Sequence, residues 1–206
     1  GTPTTLEADQ LDRLLGTIRE NFDLEHVLEF TVEAGRPDSI TREKLEVIRK
    51  YPVTRISVNP QTMQQKTLDL VGRKHTVEDV EQIFNLAREL GFDNINMDLI
   101  AGLPGEDAAD MQDTLEKIEK LHPALAIKRA AKFGQEGRTM DPGTEITQMV
   151  EAAAASAERM GLVPYYLYRQ KNIAGNFENV GYAEQDKAGV YNILIMEERQ
   201  TIIACG

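Results

Sequence analysis

The sequence predicts an α/β protein built around a parallel sheet, and three observations carry that expectation. Segments of strand and helix character alternate from the N-terminus to Leu121. The helical segments carry apolar stripes at i, i+3, i+4 and i+7, and the strand segments are rich in β-branched residues. Three of the strands end in polar side chains: Glu33, Gln61 and Asp98. Alternation of this kind implies parallel strands joined by right-handed crossovers. A closed or partial (β/α) barrel and an open doubly wound sheet both satisfy it.

The first helix is expected from about Leu6 to Glu20, with Leu11, Leu14, Leu15 and Ile18 on one face. Thr4-Thr5-Leu6-Glu7 fits a capping box at its start. A strand follows over Val27–Glu33, ended by Ala34-Gly35-Arg36-Pro37, then a short helix from Thr41 to Lys50 and a strand around Arg55 to Asn59. The next helix is the best marked. Thr76-Val77-Glu78-Asp79 caps it, Val80, Ile83, Phe84 and Ala87 form its stripe, and Gly91 stands where a left-handed residue is wanted. Asn94 to Ile100 alternates polar and apolar residues as a strand does, Ala101-Gly102-Leu103-Pro104-Gly105 is a loop, and Asp107 to Leu121 is a helix stopped by His122-Pro123.

Beyond Pro123 the pattern weakens. Glu145 to Met160 reads as a helix and Val163 to Arg169 as a strand carrying Tyr165, Tyr166 and Tyr168. Gly175 to Gly189 reads as loop, and Tyr191 to Glu198 as either helix or strand. The chain opens on a turn sequence, Gly1-Thr2-Pro3-Thr4, and stops in an apolar run, the pattern of a chain cut at both ends.

A net charge of -11 argues against a nucleic-acid or anionic-membrane surface, which needs clustered Lys and Arg. No apolar run reaches the roughly 20 residues that span a bilayer, and no signal-peptide pattern is present, so the cytoplasm is the expected location. The single cysteine, Cys205, supplies neither a disulfide nor a cysteine metal site, and it reads as a small apolar residue.

In parallel α/β proteins ligands collect at the carboxyl ends of the strands. Glu33 and Asp98 there could accept from ribose hydroxyls or an ammonium group, and the Gln61 amide could both donate and accept. Arg73 could fork onto a ligand carboxylate, and Gly1-Thr2 offers unhindered backbone amides at the mouth of the first helix. Together these suit a zwitterionic, ribose-bearing ligand. Taken singly, each such residue is more often a cap or a solvated side chain. His75 and His122 read as helix caps, His26 as a surface turn, and the late tyrosines as core.

Several segments resemble, in order, the oxygen-independent coproporphyrinogen III oxidase family of radical S-adenosylmethionine (SAM) enzymes. They are Gly1-Thr2-Pro3-Thr4, Thr31-Val32-Glu33-Ala34, Arg55-Ile56-Ser57-Val58-Asn59-Pro60-Gln61, Gly72-Arg73-Lys74-His75 and Asp98-Leu99-Ile100-Ala101-Gly102-Leu103-Pro104-Gly105. The resemblance covers about residues 1 to 121, and Tyr165–Asn172 is similar to a bacterial branch of coproporphyrinogen oxidase-like proteins. It implies a partial (β/α) TIM-like barrel of the radical SAM type, incomplete at both ends. Residues 1–130 would form its core, and residues 131–206 the remainder of the barrel with the start of a C-terminal elaboration.

The resemblance also implies two cofactors, SAM and a [4Fe–4S] cluster, which together yield a 5′-deoxyadenosyl radical that oxidatively decarboxylates coproporphyrinogen III. By position, Gly1, Thr2, Glu33, Gln61, Arg73, Asp98 and Ala126 match the family's SAM contacts. Lys128, Arg129, Arg169 and Lys171 are the candidate cations for substrate propionates, against ordinary surface charge. The implied partners are a porphyrinogen substrate and a flavodoxin- or ferredoxin-like electron donor. The family's cluster cysteines lie upstream of the Gly-rich element, so this chain holds no metal ligands of its own. Asn59-Pro60 replaces the small residues usual before the Gln, and the stretch after His122-Pro123 is several residues short of the expected barrel strand. Two other functions compete. One is a haem-binding chaperone of the same family, although the His-Asn-x-x-Tyr-Trp element implied for it does not occur here. The other is radical SAM chemistry on a different substrate.

Overall fold

The computed structural model describes residues 2–129, 142–169, 178–197 and 201–203. Its order is β1 (Thr31–Gly35), β2 (Arg55–Val58), β3 (Ile95–Ala101), β4 (Ala124–Arg129), β5 (Val163–Arg169) and β6 (Glu178–Ala183). Between and around them run α1 (Ala8–Asn21), α2 (Arg42–Arg49), α3 (Gln65–Leu70), α4 (Val77–Glu89), α5 (Ala108–Leu121), α6 (Pro142–Arg159) and α7 (Val190–Glu197). The strands form one sheet in the order β1-β2-β3-β4-β6-β5. β1 to β4 are parallel, and β6 pairs antiparallel with both β4 and β5. The sheet is open, a partial barrel rather than a closed one.

Period-two alternation gives this sheet its two faces. Val32, Ala34, Ile56, Val58, Ile95, Met97, Leu99, Leu125 and Ile127 point into the main core. There they meet Leu11 and Leu15 of α1, Leu45 and Ile48 of α2, and Phe84 of α4. Met111, Leu115 and Ile118 of α5 and Met149, Ala153 and Ala157 of α6 complete that layer. The alternate residues, Glu33, Ser57, Asn96, Asp98 and Lys128 among them, are polar and face away from the helices.

The capping signals hold with one change. In α4 the Thr76 hydroxyl accepts from the Asp79 amide at 3.1 Å, and Asp79 accepts from the Thr76 amide at 2.8 Å. Gly91 follows in the left-handed region at φ +85°. At the N-terminus the expected box is displaced. Pro3–Thr5 forms a 3-10 turn, the Thr4 hydroxyl donates to Ala34 O at 2.7 Å, and Thr5 donates back to Thr2 O at 2.8 Å. With both threonines so engaged, α1 starts later, and Gln10 Oε1 accepts from the Glu7 amide at 3.0 Å.

Four other expectations are corrected. Sheet pairing begins at Thr31, leaving Val27 and Leu28 exposed, because the partner strand starts only at Arg55. The barrel strand thought missing after Pro123 is present as β4. His122 takes a left-handed conformation at φ 56° and turns the chain directly into it. The segment read as loop contains β6, whose weak strand propensity is overridden by pairing on both sides. Residues 190–197 resolve as helix α7. His75 caps nothing: it is buried, with Nε2 3.3 Å from Pro60 O, and burial lowers its pKa. His26 lies in an exposed turn, as expected.

Glu106, in the loop before α5, is buried and accepts from the Thr62 hydroxyl at 2.5 Å; burial raises its pKa. An acid whose folded pKa exceeds its ordinary 4.5 binds more protons folded than unfolded, so it costs stability as pH rises above that value. Glu106→Gln keeps the acceptor and removes the charge. It is expected to raise Tm near pH 8 by roughly 2–4 °C, the effect of ~1 kcal/mol in a chain of this size. Near pH 4 it should change Tm little, and a thermal scan showing equal shifts at both pH values would contradict the assignment.

Candidate functional site

The polar face of the sheet walls a cavity of 470 Å³, within the roughly 300–1,000 Å³ typical of small-ligand sites. β1 contributes Glu33 and Thr31, β3 Asn96 and Asp98, and β4 Ala126 and Lys128. Arg55 of β2, Tyr166 of β5, Tyr191 and Asn192 of α7, and Glu29 complete the lining. Every strand from β1 to β5 therefore supplies at least one lining residue.

Each carboxylate in this cavity has its own donors. Glu33 Oε2 accepts from the Ser57 hydroxyl at 2.7 Å. Asp98, 8% exposed, accepts from Asn96 Nδ2 at 2.8 Å through one oxygen and from Lys128 Nζ at 2.6 Å through the other. Asp98 and Ala126 are register partners, which places Lys128 diagonally across from the aspartate, within reach of a long side chain. Glu29 accepts from the Thr31 hydroxyl at 2.5 Å and from the Val190 amide at the start of α7. Tyr166 is half-buried, and burial pushes its phenol up to about 12, with the nearby Tyr165 and Asp98 adding to the effect. It is un-ionised at any physiological pH.

A second cavity of 290 Å³ lies beyond the first, lined by Gln61, Arg73, Gly72, Arg36 and Ile100. Gln61 is held in the left-handed region at φ 72°. Its backbone N–H donates to Asp98 O at 3.0 Å, and its backbone carbonyl accepts from Ile100 N at 2.9 Å, so Asn59-Pro60-Gln61 is tied onto β3 beside the aspartate. Arg36 is clamped bidentately on Asp38 at 2.7 and 3.2 Å, which lowers the Asp38 pKa.

The structure thus gathers Glu33, Asp98, Ala126 and Lys128 into one cavity and places Gln61 and Arg73 in the adjoining one. Thr2 lines neither; it sits beside Gly35 at the carboxyl end of β1. Gly1 and Lys171 lie outside the described residues, as do the side chains of Arg129 and Arg169. Sequence reading passed over Arg55, Asn96 and Glu29, although the period-two pattern already put Arg55 and Asn96 on the polar face. Tyr165 and Tyr166, expected in the core, instead reach the cavity side. They meet edge to face at 5.0 Å, and Tyr165 bonds to Arg55 and Asn192. No helix among the described residues is long and apolar enough to cross a membrane.

Residues 1–118 match the radical SAM superfamily. The oxygen-independent coproporphyrinogen-III oxidase-like protein HemZ of Bacillus subtilis is 47% identical over 220 residues, which take in 100% of this chain and 43% of HemZ. The heme chaperone HemW of the same organism is 32% identical over 179 residues, 80% of this chain and 46% of HemW. In three dimensions the coproporphyrinogen III oxidase HemN of Escherichia coli superposes with a TM-score of 0.70 at 27% identity, covering 79% of this chain and 39% of that one. The chain spans less than half the length of each of these relatives. Superfamily match, relatives and superposition agree with one another, and the chain belongs to the radical SAM superfamily, within its oxygen-independent coproporphyrinogen III oxidase-like group.

Proposed function

We propose that this chain forms the SAM-binding wall of a radical SAM oxidoreductase that decarboxylates a porphyrinogen, as the names of its coproporphyrinogen oxidase relatives suggest. The observation that carries the reading is the convergence of Glu33, Asp98, Ala126 and Lys128 on one cavity, with Gln61 and Arg73 next to it.

The donor set fits SAM. Glu33 and Asp98 are carboxylates with lone pairs for ribose hydroxyls and an ammonium group, and Arg73 has the planar fork that a carboxylate accepts. Asn96 Oδ1 is buried without a partner and offers a further acceptor at the same wall. The cluster is a different matter: one cysteine cannot make a three-cysteine set, so its ligands are not in this chain. When bound, SAM and the cluster would supply the one-electron chemistry and accept a hydrogen atom.

The protein's share is positional. Lys128 and Asn96 fix both oxygens of Asp98, and Ser57 fixes one oxygen of Glu33. Packing of the opposite sheet face against α1, α2, α4, α5 and α6 holds the wall rigid. Each of the two reacting propionate side chains would give up one hydrogen atom and one electron and lose its carboxylate as carbon dioxide, leaving a vinyl group. A flavodoxin- or ferredoxin-like donor would supply the electron that the cluster needs, and the electron given up by the substrate would need an acceptor of its own.

The test is anaerobic. The full-length protein, reconstituted with iron and sulfide, is given SAM and dithionite and assayed for 5′-deoxyadenosine; its appearance is expected, followed by vinyl products from coproporphyrinogen. A spectroscopically intact cluster that yields no 5′-deoxyadenosine would refute the enzyme reading. The 32% identity to a heme chaperone favours one second reading, haem binding without decarboxylation. Saturable one-to-one haem binding with no change in porphyrinogen would select it.

A further inference from the structure

We propose that Arg55 is a carboxylate anchor at the floor of the main cavity, holding an acidic arm of the ligand that enters it. The inference rests on the functional reading above and adds the chemistry of what the site recognises.

Arg55 is 4% exposed, yet its Nε has no partner, and its one hydrogen bond among the described residues runs from Nη2 to the Tyr165 hydroxyl at 3.4 Å. A guanidinium is always charged and has five N–H donors to satisfy. Burying it without a carboxylate costs several kcal/mol. The three carboxylates of the cavity do not neutralise it by contact: Glu29 is taken by Thr31 and Val190, Glu33 by Ser57, and Asp98 by Asn96 and Lys128. Arg55 is the lining cation left without an ion-pair partner among the described residues, whereas Lys128 has one.

The surroundings supply further donors and make room for them. Tyr165 Oη already accepts from Arg55 and, at 3.2 Å, from Asn192 Nδ2, so its own proton is free for an outside acceptor. Gly189 runs directly under the guanidinium. A Cβ there would stand 1.9 Å from Arg55 Nη1 and 3.0 Å from Tyr165 Oη, so only a residue without a side chain lets the arginine lie where it does. A buried planar fork that lines the cavity, with the half-buried Tyr165 phenol bonded beside it, matches the two oxygens of a carboxylate.

Two carboxylates are in question, the aminoacyl carboxylate of SAM and a propionate of the porphyrinogen, and the experiment separates them. Full-length protein carrying Arg55, Arg55→Met or Arg55→Lys is titrated anaerobically with SAM by calorimetry, and with coproporphyrin III by quenching of the porphyrin's own fluorescence. The tetramethyl ester of coproporphyrin serves as the uncharged control. Expected is a tenfold or greater loss of affinity for one carboxylate ligand in Arg55→Met and an intermediate loss in Arg55→Lys, with the ester unaffected. Loss on the porphyrin assigns the anchor to the substrate, and loss on SAM assigns it to the cofactor.

A thermal scan without ligand gives a readout that a structural arginine would not share. Removing an unpaired buried charge should leave Tm unchanged or raise it, whereas a structural role predicts a fall. Unchanged affinities for both acids, equal losses on acid and ester, or a lowered ligand-free Tm would each overturn the proposal. Failure of the wild type to form 5′-deoxyadenosine would refute the enzyme reading instead, and leaves the porphyrin titration to judge Arg55 by itself.

Discussion

Asp98→Ala is expected to weaken SAM binding by roughly 10- to 100-fold, the loss that follows from removing one well-made charged hydrogen bond at a mostly buried carboxylate. The effect has two parts. The ligand loses an acceptor, and Lys128 and Asn96 lose the group that orients them at 2.6 and 2.8 Å. A double-mutant cycle separates these. If Lys128 acts by orienting Asp98, then Lys128→Met alone should weaken SAM binding, and in the Asp98→Ala background it should add little. Calorimetric titration of the reconstituted protein provides the numbers. An Asp98→Ala variant that binds SAM within twofold of the wild type would remove this residue from the cofactor site.

Gly181→Ala should be a strongly disruptive single-methyl change near the cavity. The added Cβ would stand 2.0 Å from Tyr166 Cε1, 2.3 Å from its Cδ1 and 3.0 Å from Tyr165 Cε1. β6 cannot yield, because it is paired to β4 on one side and β5 on the other. The ring must therefore swing out of the cavity, at a cost of roughly 1–3 kcal/mol for overpacking. SAM-dependent activity should fall with it. Tyr166→Ala in the same chain relieves the clash, so the double variant should be more stable than the sum of the two single losses allows. Additive losses, read from chemical denaturation, would mean that Gly181 is needed for something other than the ring.

These two residues mark where sequence reading succeeds and where it stops. Asp98 was legible because it interrupts an apolar strand and sits in a family-like segment, and because ligands gather at strand ends in parallel sheets. Glu33 and Gln61 were legible as strand-end residues in family-like segments, and Arg73 only through its family-like segment between α3 and α4. Their division between two adjoining cavities was not, since it depends on the left-handed Gln61 folding back onto β3. Gly181 carried no signal: a glycine in a polar stretch reads as loop, and only the Tyr166 ring lying across it explains why it stands in a strand.

Local chemistry determined α4, whose cap, apolar stripe and terminal glycine lie within sixteen residues of one another, from Thr76 to Gly91. It also determined the parallel core, because each crossover is a local strand-helix-strand unit. Tertiary structure decided what depended on distant partners. β6 exists because two strands flank it, α1 starts late because Thr4 is spent on Ala34, and Arg55 is buried without an ion-pair partner among the described residues where Tyr165 of β5 and Gly189 before α7 lie against it. Side-chain alternation along β2 could place Arg55 on the polar face. Whether a carboxylate would meet it there was set by contacts from residues 110 and more positions away, and a pattern read along the chain has no access to those.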